Sequence, residues 1–141
     1  MHRVMVDTNV LIDLVSSSRP AHGRTIAAVV ALLGSGDFEG CVLSSALKDV
    51  YYVYCRHYGD EPSARGAVRE LRRMFMLVNL TPSVVDAALD SDEPDFEDGL
   101  VRAAAERLGC EYLLTRDAPG FLTAGFEKVD ADGLLAVITS S

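Results

Sequence analysis

The stretch Arg3-Val4-Met5-Val6-Asp7-Thr8-Asn9-Val10-Leu11-Ile12-Asp13 decides how the rest of the chain is read. Val4, Met5 and Val6 form a short apolar run, followed at once by an acid, a hydroxyl and an amide. Apolar residues resume at Val10, Leu11, Leu14 and Val15, close to helical spacing. A buried strand that ends in a carboxylate and turns into a helix puts Asp7 at the carboxyl edge of a sheet, where open α/β sheets bind ligands. Asp7 reads equally well as a plain helix cap, since Asp, Thr and Asn all cap well.

Outward from this stretch, strand and helix patterns alternate. Asn9 to Val15 reads as a short helix, broken by Ser16-Ser17-Ser18-Arg19-Pro20. Ala21 to Leu33 is Ala-rich, with Ile26, Val29, Val30 and Leu33 spaced as one helix face, and Gly34-Ser35-Gly36 ends it. Cys41-Val42-Leu43 is a second strand, after which Ser44-Ser45 caps a helix from Ala46 to about His57. Gly59 and Pro62 mark a turn, and Ser63 opens a helix to about Met76 with Ala64, Ala67, Val68, Leu71 and Phe75 inward. Its other face carries Arg65, Arg69, Arg72 and Arg73, which reads as a solvated face or as a surface for RNA or a protein partner. Met76 to Leu80 is a third strand, and Thr81-Pro82 starts a helix to Leu89. Asp90-Ser91-Asp92-Glu93-Pro94 reads as a solvated acidic loop, followed by a helix from Asp95 to Leu108. Glu111 to Thr115 is a fourth strand, ending in Thr115-Arg116-Asp117; Phe126 to Val129 is a weak fifth, and Asp130 caps a last helix. Such alternation, with connections long enough to cross over, predicts an α/β fold: a three-layer αβα arrangement with a central parallel sheet of four to five strands. Residues 1–141 read as a single domain.

Composition narrows the function classes. The net charge is −8, from 21 acids against 13 bases, which argues against broad adhesion to a nucleic-acid backbone. It leaves open an enzyme that meets nucleic acid through bound cations. No apolar run approaches the ~18 residues that span a bilayer, and Asp7 breaks the opening run, so neither a membrane span nor a signal peptide is expected. The expected location is cytoplasmic. Cys41, Cys55 and Cys110 form no C-x-x-C pair and read as free thiols, and His2, His22 and His57 do not cluster.

The acids fall where strands end. Asp7 closes the first strand, Asp49 lies early in the helix after the second, and Asp117 lies just past the fourth. Asp98 joins them if its helix begins at the same edge. Two ionised carboxylates ~4 Å apart repel by roughly 4 kcal/mol at an effective dielectric of about 20, unless a cation sits between them. Mg2+ or Mn2+ is the natural partner of such oxygen donors and serves phosphoryl chemistry. Asp95 reads as an N-cap that supports the site, Glu97 as a solvated partner of the helix dipole, and Asp13, four residues after Asn9, as a brace.

Val6-Asp7-Thr8-Asn9-Val10-Leu11-Ile12-Asp13, Leu43-Ser44-Ser45-Ala46-Leu47-Lys48-Asp49, Asp95-Phe96-Glu97-Asp98 with Ala103-Ala104, and Leu114-Thr115-Arg116-Asp117 with Phe121 together resemble the PIN domain family, and within it the VapC-type ribonuclease toxins and short PilT N-terminus-like proteins. The resemblance spans nearly the whole chain. It implies a parallel sheet with flanking helices and a Mg2+- or Mn2+-dependent endoribonuclease whose catalytic acids are Asp7, Asp49, Asp98 and Asp117. Asp7, Asp98 and Asp117 then match metal ligands, with Asn9 and Thr115 orienting carboxylates or water. It also implies an RNA substrate, an antitoxin protein partner and a homodimer. The family's second acid is usually a glutamate; Asp49 is one methylene shorter and reaches roughly 1.5 Å less. That departure keeps a second expectation alive, a catalytically weak PIN-fold module for RNA binding or assembly. Phosphoaspartate chemistry fits less well, because Asn9 occupies the place of its second acid and Lys128 is the sole late lysine.

Overall fold

A computed structural model describes residues 1–116, 120–122 and 124–140. Among them the order is β1 (His2–Val6), α1 (Thr8–Val15), α2 (His22–Gly34), β2 (Phe38–Leu43), α3 (Ser44–Tyr58), α4 (Glu61–Met74), β3 (Met76–Val78), α5 (Pro82–Leu89), α6 (Phe96–Leu108), β4 (Tyr112–Leu114), β5 (Glu127–Val129) and α7 (Ala131–Thr139). Every strand pairing is parallel, in the order β3-β2-β1-β4-β5. The predicted α/β architecture, a parallel sheet between helical layers, is therefore the one observed.

The period-two alternation of strand side chains builds the two cores. Val4 and Val6 of β1, Val42 of β2 and Leu114 of β4 face one cluster, which takes Leu11 of α1, Ala28, Val29 and Leu32 of α2, Leu71 of α4 and Leu134 of α7. Met5, Cys41, Leu43 and Leu113 point the other way, against Val84 of α5 and Val101, Ala104 and Ala105 of α6. Val4, Met5 and Val6 are all buried because β1 is central and covered on both faces.

Strands two and three are laid down on one side of β1 and strands four and five on the other. The direction reverses beside β1, so the carboxyl ends of β1 and β4 flank a topological switch point, the place where such sheets open a crevice. Asp7 follows β1 and Thr115 follows β4. The backbone joins them there, with Asp7 N–H donating to the Leu114 carbonyl at 2.9 Å.

Several expectations need correction. In α2 the buried face is Thr25, Ala28, Val29 and Leu32, whereas Ile26, Val30 and Leu33 are exposed. Both sets have helical spacing, and the sheet chooses between them. Gly40 of β2 leaves a recess filled by Phe75 and Leu32; a Cβ at Gly40 would lie 2.6 Å from the Phe75 ring. Ser44 and Ser45 do not cap α3: they lie inside its first turn, after Leu43, and no side chain caps it. Asp60, not Ser63, opens α4, accepting the Ser63 amide at 3.1 Å and its hydroxyl at 2.7 Å. Gly59 ends α3 in the left-handed region, at φ 64°.

Candidate active site

Asp7 is both a helix cap and a residue of the sheet's carboxyl edge. It caps α1, Oδ1 accepting the Thr8 amide at 2.9 Å, and its Oδ2 accepts the Thr115 hydroxyl at 2.8 Å. Asp7 and Thr115 are only 6% and 3% exposed, so the carboxylate is fixed by partners from two strand ends rather than by solvent.

Asp7 lines a cleft of about 480 Å³ at the carboxyl edge of the sheet. Thr8, Asn9, Ser45, Lys48, Asp49, Tyr52, Phe96, Glu97 and Asp98 also line it. Asp98 reaches it because α6 begins at this edge. The start of that helix is fixed by Asp95, whose Oδ1 accepts the Glu97 and Asp98 amides at 2.7 and 3.1 Å. Asp98 is half-buried; Asp49, on α3, is exposed. Three of the four acids singled out in the sequence thus share one cleft, with Asn9 beside them. The fourth, Asp117, lies outside the described residues. Glu97 is exposed, and Arg65, Arg69, Arg72 and Arg73 form an exposed face of α4 away from the cleft lining. Two of these arginines are paired on their own helix, Arg65 with Glu61 at 3.1 Å and Arg73 with Glu70 at 2.7 Å.

The donor set is oxygen only, which suits a hard divalent cation. Among the described residues no three acidic, histidine or cysteine side chains converge as a protein-only cage. A cation of the Mg2+ type needs only one or two carboxylates, because it keeps several waters. Asp7 and Asp98, which line the same cleft, supply that number of carboxylates.

Two supports have partners that were not legible in the sequence. Asp13, 1% exposed, accepts from Arg116, Nε at 2.5 Å and Nη2 at 3.3 Å, with Arg19 4.0 Å away. The brace expected of Asp13 therefore acts on the segment leaving β4, immediately before Asp117. Glu93, expected in a solvated loop, is buried to 3% side-chain exposure. It accepts the Phe121 amide at 2.8 Å and pairs with Arg102 at 2.7 Å. Arg102 also pairs with Asp92 and with Glu106 at 2.9 Å, and Glu106 accepts the Gly125 amide at 3.1 Å. Burial opposes the Arg102 charge, but these carboxylates outweigh it and hold the guanidinium above its ordinary pKa. Phe121 and Gly125 are thereby clasped to α6 and to the loop before it, and Phe121 is held at φ 63°, a left-handed conformation costly for a bulky residue. A Glu-Arg pair nine residues apart carries no sequence signal for such a clasp, since its partner amide is remote in the chain.

The family model described as PIN domain matches residues 3–118, most of the chain and every acid in question. The chain belongs to the PIN domain family. Among relatives of this PIN domain, Ribonuclease VapC1 of Aquifex aeolicus is 27% identical over 120 residues, covering 82% of this chain and 81% of that protein. Among solved structures, Mycobacterium tuberculosis VapC20, described as a sarcin-ricin loop cleaving toxin, superposes with a TM-score of 0.69 at 18% identity, covering 84% of this chain and 96% of that one. A toxin-antitoxin complex from Klebsiella pneumoniae gives 0.67 at 21% identity, covering 91% and 97%. At these identities the structural matches establish the shared fold.

Proposed function

We propose that this PIN domain, acting through the whole chain 1–141 as one unit, is a Mg2+- or Mn2+-dependent endoribonuclease and the toxin of a toxin-antitoxin pair. One observation carries the reading: Asp7, Asp49 and Asp98 come from three separate elements and line one cleft at the sheet's switch point. Family membership and the likeness to a ribonuclease support it.

Asp7, Asp98 and Asp117 are the residues that would hold the cation, which supplies charge stabilisation at the phosphate and a more acidic bound water. Thr115 fixes the Asp7 carboxylate through its 2.8 Å hydrogen bond and so keeps one oxygen aimed along a defined direction. Asn9, on the rim, can orient water or a phosphate oxygen. Asp49 lines the same cleft from α3 with the shorter reach of an aspartate, and its exposure suits contact through water. An RNA substrate, an antitoxin that covers this cleft, a homodimeric assembly and a cytoplasmic location complete the proposal. Among the described residues no helix is long and apolar enough to cross a membrane.

The test is cleavage of labelled RNA by purified protein in Mg2+ or Mn2+, beside Asp7→Asn. Asn keeps the cap and the shape but loses the charge. Cleavage should fall about a hundredfold or more, as when a charge-stabilising group is removed, and growth inhibition on expression should be relieved. Equal cleavage by both proteins, or none by the native one, sinks the reading. The second reading, a weak binding module, rests on the short Asp49 and predicts metal-dependent RNA binding without turnover.

A further inference from the structure

The carboxylates occupy only part of the cleft. Tyr52 of α3 and Phe96 of α6 line the same cleft, and both are large rings left open to solvent, 58% and 47% exposed. What sets these two apart from other exposed apolar side chains is that both line the cleft that holds the carboxylates. Tyr52 is also held in place. Arg56, one turn further along α3, donates to its hydroxyl at 2.8 Å, and its guanidinium carbon is 5.9 Å from the ring centroid. That contact uses one of the five donors of Arg56, and Tyr52 stays more than half exposed with the guanidinium over part of its ring.

Residues 49, 52 and 56 follow the period of a helix and lie along one side of α3. At 1.5 Å per residue, the ring of Tyr52 is based about 4.5 Å along the axis from Asp49, and Arg56 about 10 Å. Lys48 also lines the cleft. A helix side that offers a carboxylate, then an open ring, then a guanidinium matches the chemistry of a nucleotide strand leaving the reacting phosphate. Its base has a π-face for Tyr52, and its next phosphate has donors at Arg56. Aromatic rings interleaved with cations are the recurring means of holding unpaired strands, and stacking tolerates every base.

Resting on the nuclease reading above, we propose that Tyr52 and Phe96 form a nucleobase-stacking subsite. It holds one unpaired base next to the scissile phosphate, with Arg56 on the neighbouring backbone phosphate. A base paired in a duplex presents no free face to these rings, so the subsite takes an unpaired one.

The test uses a short single-stranded RNA carrying 2-aminopurine at successive positions, bound by Asp7→Asn protein in Mg2+ so that it is not turned over. The fluorescence should be quenched at one position, and Tyr52→Ala should remove the quench and weaken binding by about tenfold, from the loss of ~1.4 kcal/mol of stacking. Phe96→Ala should act likewise, Tyr52→Phe should retain most of both signals, and a blunt duplex of the same sequence should bind at least about tenfold more weakly. Both rings are exposed, so these changes leave the core intact. Unchanged quench and affinity in both alanine variants overturn the subsite, as does equal duplex binding. So does a result in which Tyr52→Ala spares RNA but weakens inhibition by a co-expressed protein, for the rings then serve protein docking. Cleavage of the same oligomer by native protein reports separately on the nuclease reading: quench without cleavage defeats that reading and leaves the subsite standing.

Discussion

Replacing Arg116 by alanine removes the guanidinium that holds Asp13 and leaves a carboxylate with 2% side-chain exposure facing the interior. Breaking a fully buried ion pair from one side costs about 3–5 kcal/mol, because the other charge stays desolvated. Two features reduce that figure here. The Arg116 side chain is 43% exposed, so the pair is partly screened, and Arg19 remains 4.0 Å from Asp13 as a weaker partner. The expected loss is about 2 kcal/mol, the range of a charged hydrogen bond. For a domain of this size that lowers Tm by ~4–8 °C. The assay is urea and thermal unfolding of Arg116→Ala, Asp13→Asn and the double variant. A coupling energy of at least about 1 kcal/mol is expected, since the two side chains contact each other directly. Activity should respond as well. Arg116 directly precedes Asp117, so cleavage measured well below both melting points should fall further than the folded fraction accounts for. Arg116→Lys should recover part of the stability but not the two-point grip of the guanidinium. A coupling energy within about 0.3 kcal/mol of zero would refute the claim that this pair ties α1 to the end of β4.

Asp49→Glu restores the missing methylene; it should raise kcat/KM for RNA while leaving stability within about 0.5 kcal/mol, because the residue is exposed, and a lower rate counts against Asp49 as the second acid. Mn2+ at a hundred times its Kd should stabilise the native protein by about 2.7 kcal/mol, and Asp98→Asn should abolish that shift in a thermal melt; an undiminished shift moves the cation elsewhere. The Tyr51 hydroxyl bonds Glu61 at 2.6 Å and, with Arg65, holds that carboxyl below its ordinary pKa of 4.5. Its contribution to stability is therefore complete above 4.5 and is lost as pH falls through the lowered value. Tyr51→Phe should flatten the acid limb of a stability–pH curve, and an unaltered limb rejects the assignment. Gly40→Ala should destabilise by about 1–3 kcal/mol through the clash with Phe75, as read from chemical denaturation.

The sequence by itself determined the architecture and most of the acid set. Val4-Met5-Val6 is apolar on both faces, which only a central strand buried on two sides requires, and Asp7 at its end marks the sheet edge. Asp95 announces the start of α6 and so locates Asp98, because capping is a local interaction between residues three apart. What stayed hidden depended on distant partners. The pairs Asp7 with Thr115, Asp13 with Arg116 and Glu93 with the Phe121 amide join residues far apart in the chain, and nothing local records them. The buried side of α2 was hidden for another reason: two apolar stripes share helical spacing, and the recess above Gly40 selects the one with Leu32. The opening stretch left Asp7 divided between cap and chemistry. The folded chain makes it a cap that also lines a cleft, because one carboxylate has two oxygens: Oδ1 accepts the Thr8 amide, Oδ2 accepts the Thr115 hydroxyl, and the residue borders the cleft shared with Asp98.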